Sequence, residues 1–219
     1  MMKLLKKLFT LLLVVVILFA GGMTVLGYFK YKDAISEMPI LEKVASVKDN
    51  PTYTKLKNIN PDFYDSVVAT EDHRFYKHGA IDAISLVRAT IVNLMKGEIK
   101  QGGSTITQQV AKNLYFSNNQ HFLRKIAEMF VANDLEKTYS KDEILELYVN
   151  IVYYGDNNYG ISQASKNYFH TTPDQLTYDQ ATLLAGLPQA PSAYALSQHP
   201  ERAKQRQKEV IAALKKYRE

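Results

Sequence analysis

Glu71 and Asp72 follow an apolar ramp, Val67-Val68-Ala69, and run directly into His73, Arg74, Phe75, Tyr76, Lys77 and His78 in the stretch VVATEDHRFYKHG. Two carboxylates, two imidazoles and cations around aromatic rings fit neither a plain core nor a plain solvated face. If residues 71–78 are helical, Glu71, Phe75 and His78 share one face at i, i+4 and i+7. His73 and His78 stand five apart, about 140° around a helix, whereas a zinc-binding helix places its histidines at i and i+4. A two-histidine metal site is therefore not expected. The remaining choices are a carboxylate that moves a proton and a helix turn with ordinary ion pairs.

The second stretch is IKQGGSTITQQVAKNLYF. Gly102-Gly103 permits close backbone approach to a ligand. Ser104 is a natural N-cap, and the helix it opens would offer free N–H groups to an anion, with Thr105, Gln108, Gln109 and Lys112 in its first turns. The spacing is not that of a P-loop, because the lysine stands inside the helix and not directly after a glycine. A capped amphipathic helix behind a polar loop explains the composition equally well.

The third stretch, HFLRKIAEMFVANDLEK, places Glu128 four residues after Arg124 and three after Lys125. That spacing makes an intrahelical ion pair worth a few tenths of a kcal/mol, about 0.2–0.5. The same carboxylate borders an apolar face, where desolvation acts on its charge. Two separated carboxylates beside a basic, glycine-rich loop suggest acid–base chemistry at a sugar with a phosphate nearby.

The elements that must hold these residues read as helices. Ile84, Val87, Ile91, Leu94 and Met95 make a stripe at 3.6 spacing that ends at Lys96-Gly97. Phe122, Ile126, Met129 and Phe130 make another, on a helix expected to end near Thr138. Ser140 with Glu143 predicts a capping box for a helix carrying Ile144, Leu147, Tyr148 and Ile151, with Gly155 as its stop. Thr172-Pro173 predicts a further helix start, Thr177 with Gln180 another capping box, and a charged amphipathic helix begins near Pro200. No alternating strand pattern or internal repeat is present, so the expected fold is mostly α.

The chain has 219 residues, a net charge of +5 and no cysteine. Leu8 to Phe29 carries no charge; at about 1.5 Å per residue it spans roughly 33 Å as a helix, enough for a bilayer core of about 30 Å. An uncleaved signal-anchor is favoured over a signal peptide, whose apolar region runs only about 7–15 residues. This divides the chain into a tail 1–7, a transmembrane helix 8–29, a juxtamembrane connection 30–59 interrupted by Pro39 and Pro51, and a domain 60–219. Lys3, Lys6 and Lys7 precede the span and Lys30 and Lys32 follow it, so charge alone leaves its orientation open. The basic excess on a tethered domain points to an anionic partner, lipid head groups or a phosphorylated substrate.

Taken together the motifs resemble the peptidoglycan glycosyltransferase family, the transglycosylase domain of class A penicillin-binding proteins. E-D-x-x-F-x-x-H-x-G is matched by Glu71, Asp72, Phe75 and His78. G-G-S-T-I-T-Q-Q with a later K-N is matched by Gly102 through Gln109 and Lys112-Asn113. R-K-x-x-E is matched by Arg124, Lys125 and Glu128, and K-x-x-I-L-E-x-Y-x-N by Lys141, Ile144, Leu145, Glu146, Tyr148 and Asn150. LLAGLPQAPSAY at 183–194 resembles the family's closing segment. Two departures are Ala80, where a glycine is expected two places after His78, and Ala195-Leu196 where a proline often follows.

The resemblance implies a lysozyme-like α fold with a small membrane-proximal lobe, and polymerisation of lipid II onto a growing glycan chain. Glu71 would be the general base and Glu128 a second catalytic carboxylate near the diphosphate. Lys112, Arg124 and Lys125 would stabilise the leaving undecaprenyl pyrophosphate. Asp72, Phe75, His78, Gly102, Ser104, Thr105 and Gln109 would line the cleft. A divalent cation, magnesium or manganese, is admitted with Glu128 as its ligand; no nucleotide and no nucleic acid are expected. Membrane lipid and cell-wall synthesis proteins are the implied partners, and the implied location is the outer face of the cell membrane on a single-pass anchor. No Ser-x-x-Lys occurs, so transpeptidase chemistry is not expected. A lysozyme-like glycan-cleaving enzyme and a catalytically silent membrane-anchored scaffold remain the rival readings.

Overall fold

Helices make up nearly all the regular structure of residues 2–97, 102–116 and 122–219, which this computed structural model describes. The β structure among them is an isolated bridge between Tyr153 and Tyr159. The mostly α expectation stands.

The first helix, α1 (Met2–Glu37), is long and apolar enough to cross a membrane. It does not stop where the apolar stretch stops. Residues 30–37, read from the sequence as connection, continue the helix until Pro39, after which α2 (Ile40–Lys48) starts. The reason is a partner: the end of α1 packs along α6 (Phe122–Thr138). Gly27 lies so close to α6 that a Cβ there would sit 2.4 Å from Ile126 Cγ2. Tyr28 and Tyr31 stack against Phe130 with ring centroids 5.4 and 5.5 Å away, and the Tyr31 hydroxyl donates to the Asp134 carboxylate. The stripe of α6 thus faces the end of α1 through Ile126 and Phe130, while Phe122 remains exposed.

The domain core is built on α3 (Pro61–Glu71), α5 (Ile106–Tyr115) and α7 (Lys141–Ile151). Asn60 caps α3 by accepting from the Asp62 N–H at 2.8 Å, with Pro61 in the first turn. α3 packs against α9 (Tyr178–Gly186) and α10 (Pro200–Arg218); α5 packs between α6 and α7. Phe63, Val67, Val110, Leu145, Leu184 and Val210 are fully buried at these seams. The capping boxes at Ser140–Glu143 and Thr177–Gln180 both form, and α10 starts at Pro200 as expected.

Three elements differ from expectation. Thr172-Pro173 opens only a turn, with the Gln175 N–H on the Thr172 carbonyl at 3.0 Å, because the next helix takes its cap at Thr177. α7 ends at Ile151 and α8 (Ile161–Phe169) follows, leaving Gly155 in the intervening loop. The third is α4 (Ala83–Lys96), which ends at Lys96-Gly97 as predicted but buries a different face. Its apolar stripe points outward: Ile84 is 59%, Leu94 82% and Met95 81% exposed, while Ala89 is its buried residue. Periodicity marks an apolar face; it does not say what covers it.

Candidate active site

Two cavities meet at Glu71. The larger, about 690 Å³, is lined by Lys112, Arg124, Lys125 and Glu128 on its far side. The smaller, about 290 Å³, is lined by His73, Asp82, Arg88 and Arg206. Thr70, Glu71, Gly102, Ser104 and Gln189 belong to both. Glu71 therefore stands on the ridge between a strongly cationic chamber and a mixed polar one.

Glu71 is the last residue of α3. The predicted shared face with Phe75 and His78 does not exist, because the chain leaves the helix at Asp72 and only a 3-10 turn, Phe75–Lys77, follows. Gln109 of α5 donates from Nε2 to Glu71 Oε2 at 2.9 Å, and the Tyr148 hydroxyl reaches Gln109 Oε1 at 3.4 Å. Burial pushes the Glu71 carboxyl above the ordinary glutamate value. The Gln109 bond and the positive charge of Arg206 pull it back, and Asp72 adds to the rise. A carboxylate so placed is a stronger base than a solvated one, which is what proton abstraction from a sugar hydroxyl requires.

Asp72 works differently. Its Oδ2 accepts the Ile106 N–H at 3.1 Å and its Oδ1 meets His78 Nε2 at 2.7 Å, while His78 Nδ1 contacts the Gly79 carbonyl at 2.6 Å. Asp72 thus occupies the start of α5, where free N–H groups for an anion were expected. The cap itself is Thr105 and not Ser104: Thr105 Oγ1 accepts from the Gln108 N–H at 3.1 Å, and the Gln108 side chain answers on the Thr105 N–H at 3.2 Å. With α5 capped twice over, an anionic group in the cleft must be held by side chains.

Those side chains converge from two helices. Glu128, 1% exposed, faces Arg124 Nε at 3.2 Å and Lys125 Nζ at 3.0 Å. Lys125 Nζ also donates to Ser104 Oγ at 2.8 Å, which fixes the glycine-rich loop to α6. Lys112 joins them from α5. Burial pushes its ammonium below the ordinary lysine value; Glu128 opposes this, and Arg124 and Lys125 add to it. One buried carboxylate thus organises several cations that repel each other, an arrangement suited to an incoming multivalent anion.

Phe75 and His78 lie behind the cleft wall. Phe75 is fully buried, with Lys141 Nζ 4.4 Å from its ring centre, and His78 braces Asp72. The motif on α7 is a brace as well. Glu146 accepts the Tyr53 hydroxyl and the Leu56 N–H, both at 2.8 Å, and Asn150 clamps the Thr54 backbone from both sides. Ala80 costs nothing in backbone terms: it is not among the positive-φ residues, and its carbonyl accepts from Thr105 Oγ1 at 2.8 Å. The Ala195-Leu196 departure is secured by Asp156, which accepts from the Ser197 N–H at 3.0 Å and from its hydroxyl at 2.5 Å.

Arg206 and Arg88 fall outside the quoted motifs, Gln189 lies in LLAGLPQAPSAY with no role assigned to it, and His73 is weighed only as a metal ligand; all four line the cleft. Arg206 and Gln189 come from segments more than a hundred residues beyond Glu71, joined to it only by the packing of α9 and α10 on α3.

Fold and site together describe a helical domain joined to a long apolar helix, with the Glu71 carboxylate beside a chamber lined by cations. The transglycosylase family profile matches residues 38–215, and the chain belongs to that family. It is 39% identical over 206 residues to a Cupriavidus necator protein provisionally named a transglycosylase, covering 94% of this chain and 89% of that one. It is also 46% identical over 159 residues to penicillin-binding protein 1A of Neisseria flavescens, and 45% identical to that of Neisseria gonorrhoeae. These alignments cover 73% of this chain and only 20% of each penicillin-binding protein. The protein is a peptidoglycan glycosyltransferase.

Proposed function

We propose that the protein polymerises lipid II into glycan strands by inverting transfer, and that Glu71 is the general base. Its carboxylate takes the proton of the 4-hydroxyl on the acceptor's N-acetylglucosamine as that oxygen attacks the donor's anomeric carbon. The new bond forms on the face opposite the leaving group, and the C–O bond to undecaprenyl pyrophosphate breaks with its electron pair. A diphosphate leaving group already has a low pKa, so it needs charge stabilisation more than a proton. Lys112, Arg124 and Lys125 supply that charge, and Glu128 holds them in place. The carrying observation is the position of Glu71, partly buried at the junction of two cavities of which one bears the cations.

Glycan cleavage is less well supported. A hydrolase needs a second carboxylate free to act at the sugar, whereas both oxygens of Glu128 face cations within 3.2 Å. The same contacts bear on a divalent cation. Glu128 Oε2 is bonded to Lys125 and its Oε1 lies 3.2 Å from Arg124 Nε, so a metal ion there would meet positive charge already in place, and the Asp72, His78 and Asp82 group is tied to backbone N–H groups, Ser85 and Arg74. These residues do not form a fitting metal site by themselves, and no step is assigned to a metal.

The anchor and the outward apolar stripe of α4 support work at a bilayer surface, with α1 spanning the membrane and the domain on its outer face. Lipid bilayer covering Ile84, Val87, Leu94 and Met95 accounts for exposure that a soluble surface would not favour. Incubating the purified protein with lipid II in detergent tests the reading. Polymer and free undecaprenyl pyrophosphate are expected, and digestion of preformed glycan with lipid II untouched would replace it with the hydrolase reading.

A further inference from the structure

Arg206 has no role in the chemistry described so far, yet it is placed as though it had one. It sits on the second turn of α10 (Pro200–Arg218), a helix whose composition reads as a charged solvent face. It is nonetheless only 9% exposed, and it lines the smaller cavity together with Glu71. Its stem reaches that wall by crossing α9 at Gly186, where a Cβ would come within 2.9 Å of Arg206 Cγ. Any larger residue at 186 would displace the stem. One guanidinium nitrogen pairs with Glu209 at 2.7 Å, but Glu209 is 59% exposed and solvated. Among the described residues the buried Nε has no hydrogen-bond partner. An arginine brought inside with an unspent donor is expensive unless the charge is used.

We infer that Arg206 is a positioning residue for Glu71, a fixed cation that α10 holds in the wall of the smaller cavity to keep the base carboxylate ionised for proton abstraction. This rests on Glu71 being the base. Among the groups facing Glu71, Asp72 beside it favours the protonated carboxyl, while Tyr148 of α7 and Tyr154 lie buried below it with their hydroxyls held neutral. Among the described residues Gln109 of α5 donates a hydrogen bond to it and Arg206 supplies the opposing charge. Across the larger cavity the cations Lys112, Arg124 and Lys125 are partly matched by Glu128; the smaller one is also lined by His73, Arg88 and Asp82, the last paired with Arg74 at 3.1 Å. Arg206 therefore completes the balance that lets a partly buried glutamate carry a negative charge between these walls.

The test is the pH dependence of kcat for lipid II polymerisation in Arg206→Gln and Arg206→Lys. The base works deprotonated, so activity rises with pH through an acid-side midpoint. Loss of the cation in Arg206→Gln is expected to move that midpoint upward by on the order of one pH unit or somewhat less; Arg206→Lys, which keeps the charge, restores it. A merely structural arginine predicts a loss that is equal at every pH, and an unmoved midpoint in Arg206→Gln overturns the inference. If Arg206→Gln does not fold, Glu209→Gln at its exposed position releases the guanidinium and is expected to shift the midpoint downward; no shift there likewise overturns it. Full activity in Glu71→Gln would instead remove Glu71 as base, a distinguishable failure of the underlying reading.

Discussion

Glu128→Gln separates two roles that a buried carboxylate in an active site can have. In the structure the side chain is 1% exposed and touches two cations, Arg124 at 3.2 Å and Lys125 at 3.0 Å. Breaking a fully buried pair by removing one partner costs about 3–5 kcal/mol, because the other charge is left uncompensated. Arg124 is 15% and Lys125 35% exposed, so water recovers part of that cost. A loss of about 2–3 kcal/mol is the reasonable expectation, which for a domain of this size lowers Tm by roughly 5–10 °C. The amide still fits the space, so the fold should survive. Thermal melting in detergent, followed by circular dichroism at low and high salt, measures the loss; added salt should shrink it by screening the freed cations. Polymerisation should fall through weaker handling of the donor diphosphate, with the acid-side midpoint of the pH profile unmoved. An unchanged Tm together with abolished activity would refute the reasoning, because Glu128 would then be a reacting group and not the organiser of the cations.

Further outcomes follow from the same geometry. Because burial raises the Glu71 carboxyl above its ordinary value, the acid-side midpoint of kcat should lie above that of a solvated glutamate, near 4.5. A group whose folded pKa is raised contributes stability at low pH and loses it as pH rises through that value. Glu71→Gln should therefore be at least as heat-stable as the parent at neutral pH, with the difference vanishing in acid; a large destabilisation at neutral pH would contradict this. Asp72→Asn leaves His78 and the Ile106 N–H with a weaker partner and should cost about 1–3 kcal/mol in a melting experiment. Leu94→Asp on α4 should weaken binding of the domain to lipid vesicles several-fold while leaving its melting temperature unchanged, since the side chain is 82% exposed; a drop in melting temperature would show that it is covered by protein.

Local signals were the ones legible in the sequence. The capping boxes at Ser140 and Thr177 depend on residues three apart, and both appear where expected. Motif residues near one another in the chain, such as Arg124, Lys125 and Glu128, share a helix and so come together by necessity. Adjacent hydroxyls are harder to separate: Ser104 and Thr105 can each cap α5, and only the position of Lys125 shows that Ser104 is otherwise engaged. The family resemblance places Phe75 and His78 in the cleft, and a helix through 71–78 would put them on one face with Glu71; the turn at Asp72 sends them behind the wall. The stripe on α4 carries the same periodicity as a core face, and the chain alone does not reveal what lies against it. Arg206 was invisible for a tertiary reason, since its burial depends on α9 offering Gly186 as a crossing point.

The most direct measurement follows the fate of labelled lipid II with the wild-type protein and with Glu71→Gln, alongside melting curves for both. The expected result is β-linked polymer and one undecaprenyl pyrophosphate released per bond formed by the wild type, and no polymer from a fully folded Glu71→Gln. Polymerisation by that variant at the wild-type rate, or a wild type that cuts glycan and leaves lipid II unchanged, would contradict a base at Glu71 serving sugar transfer.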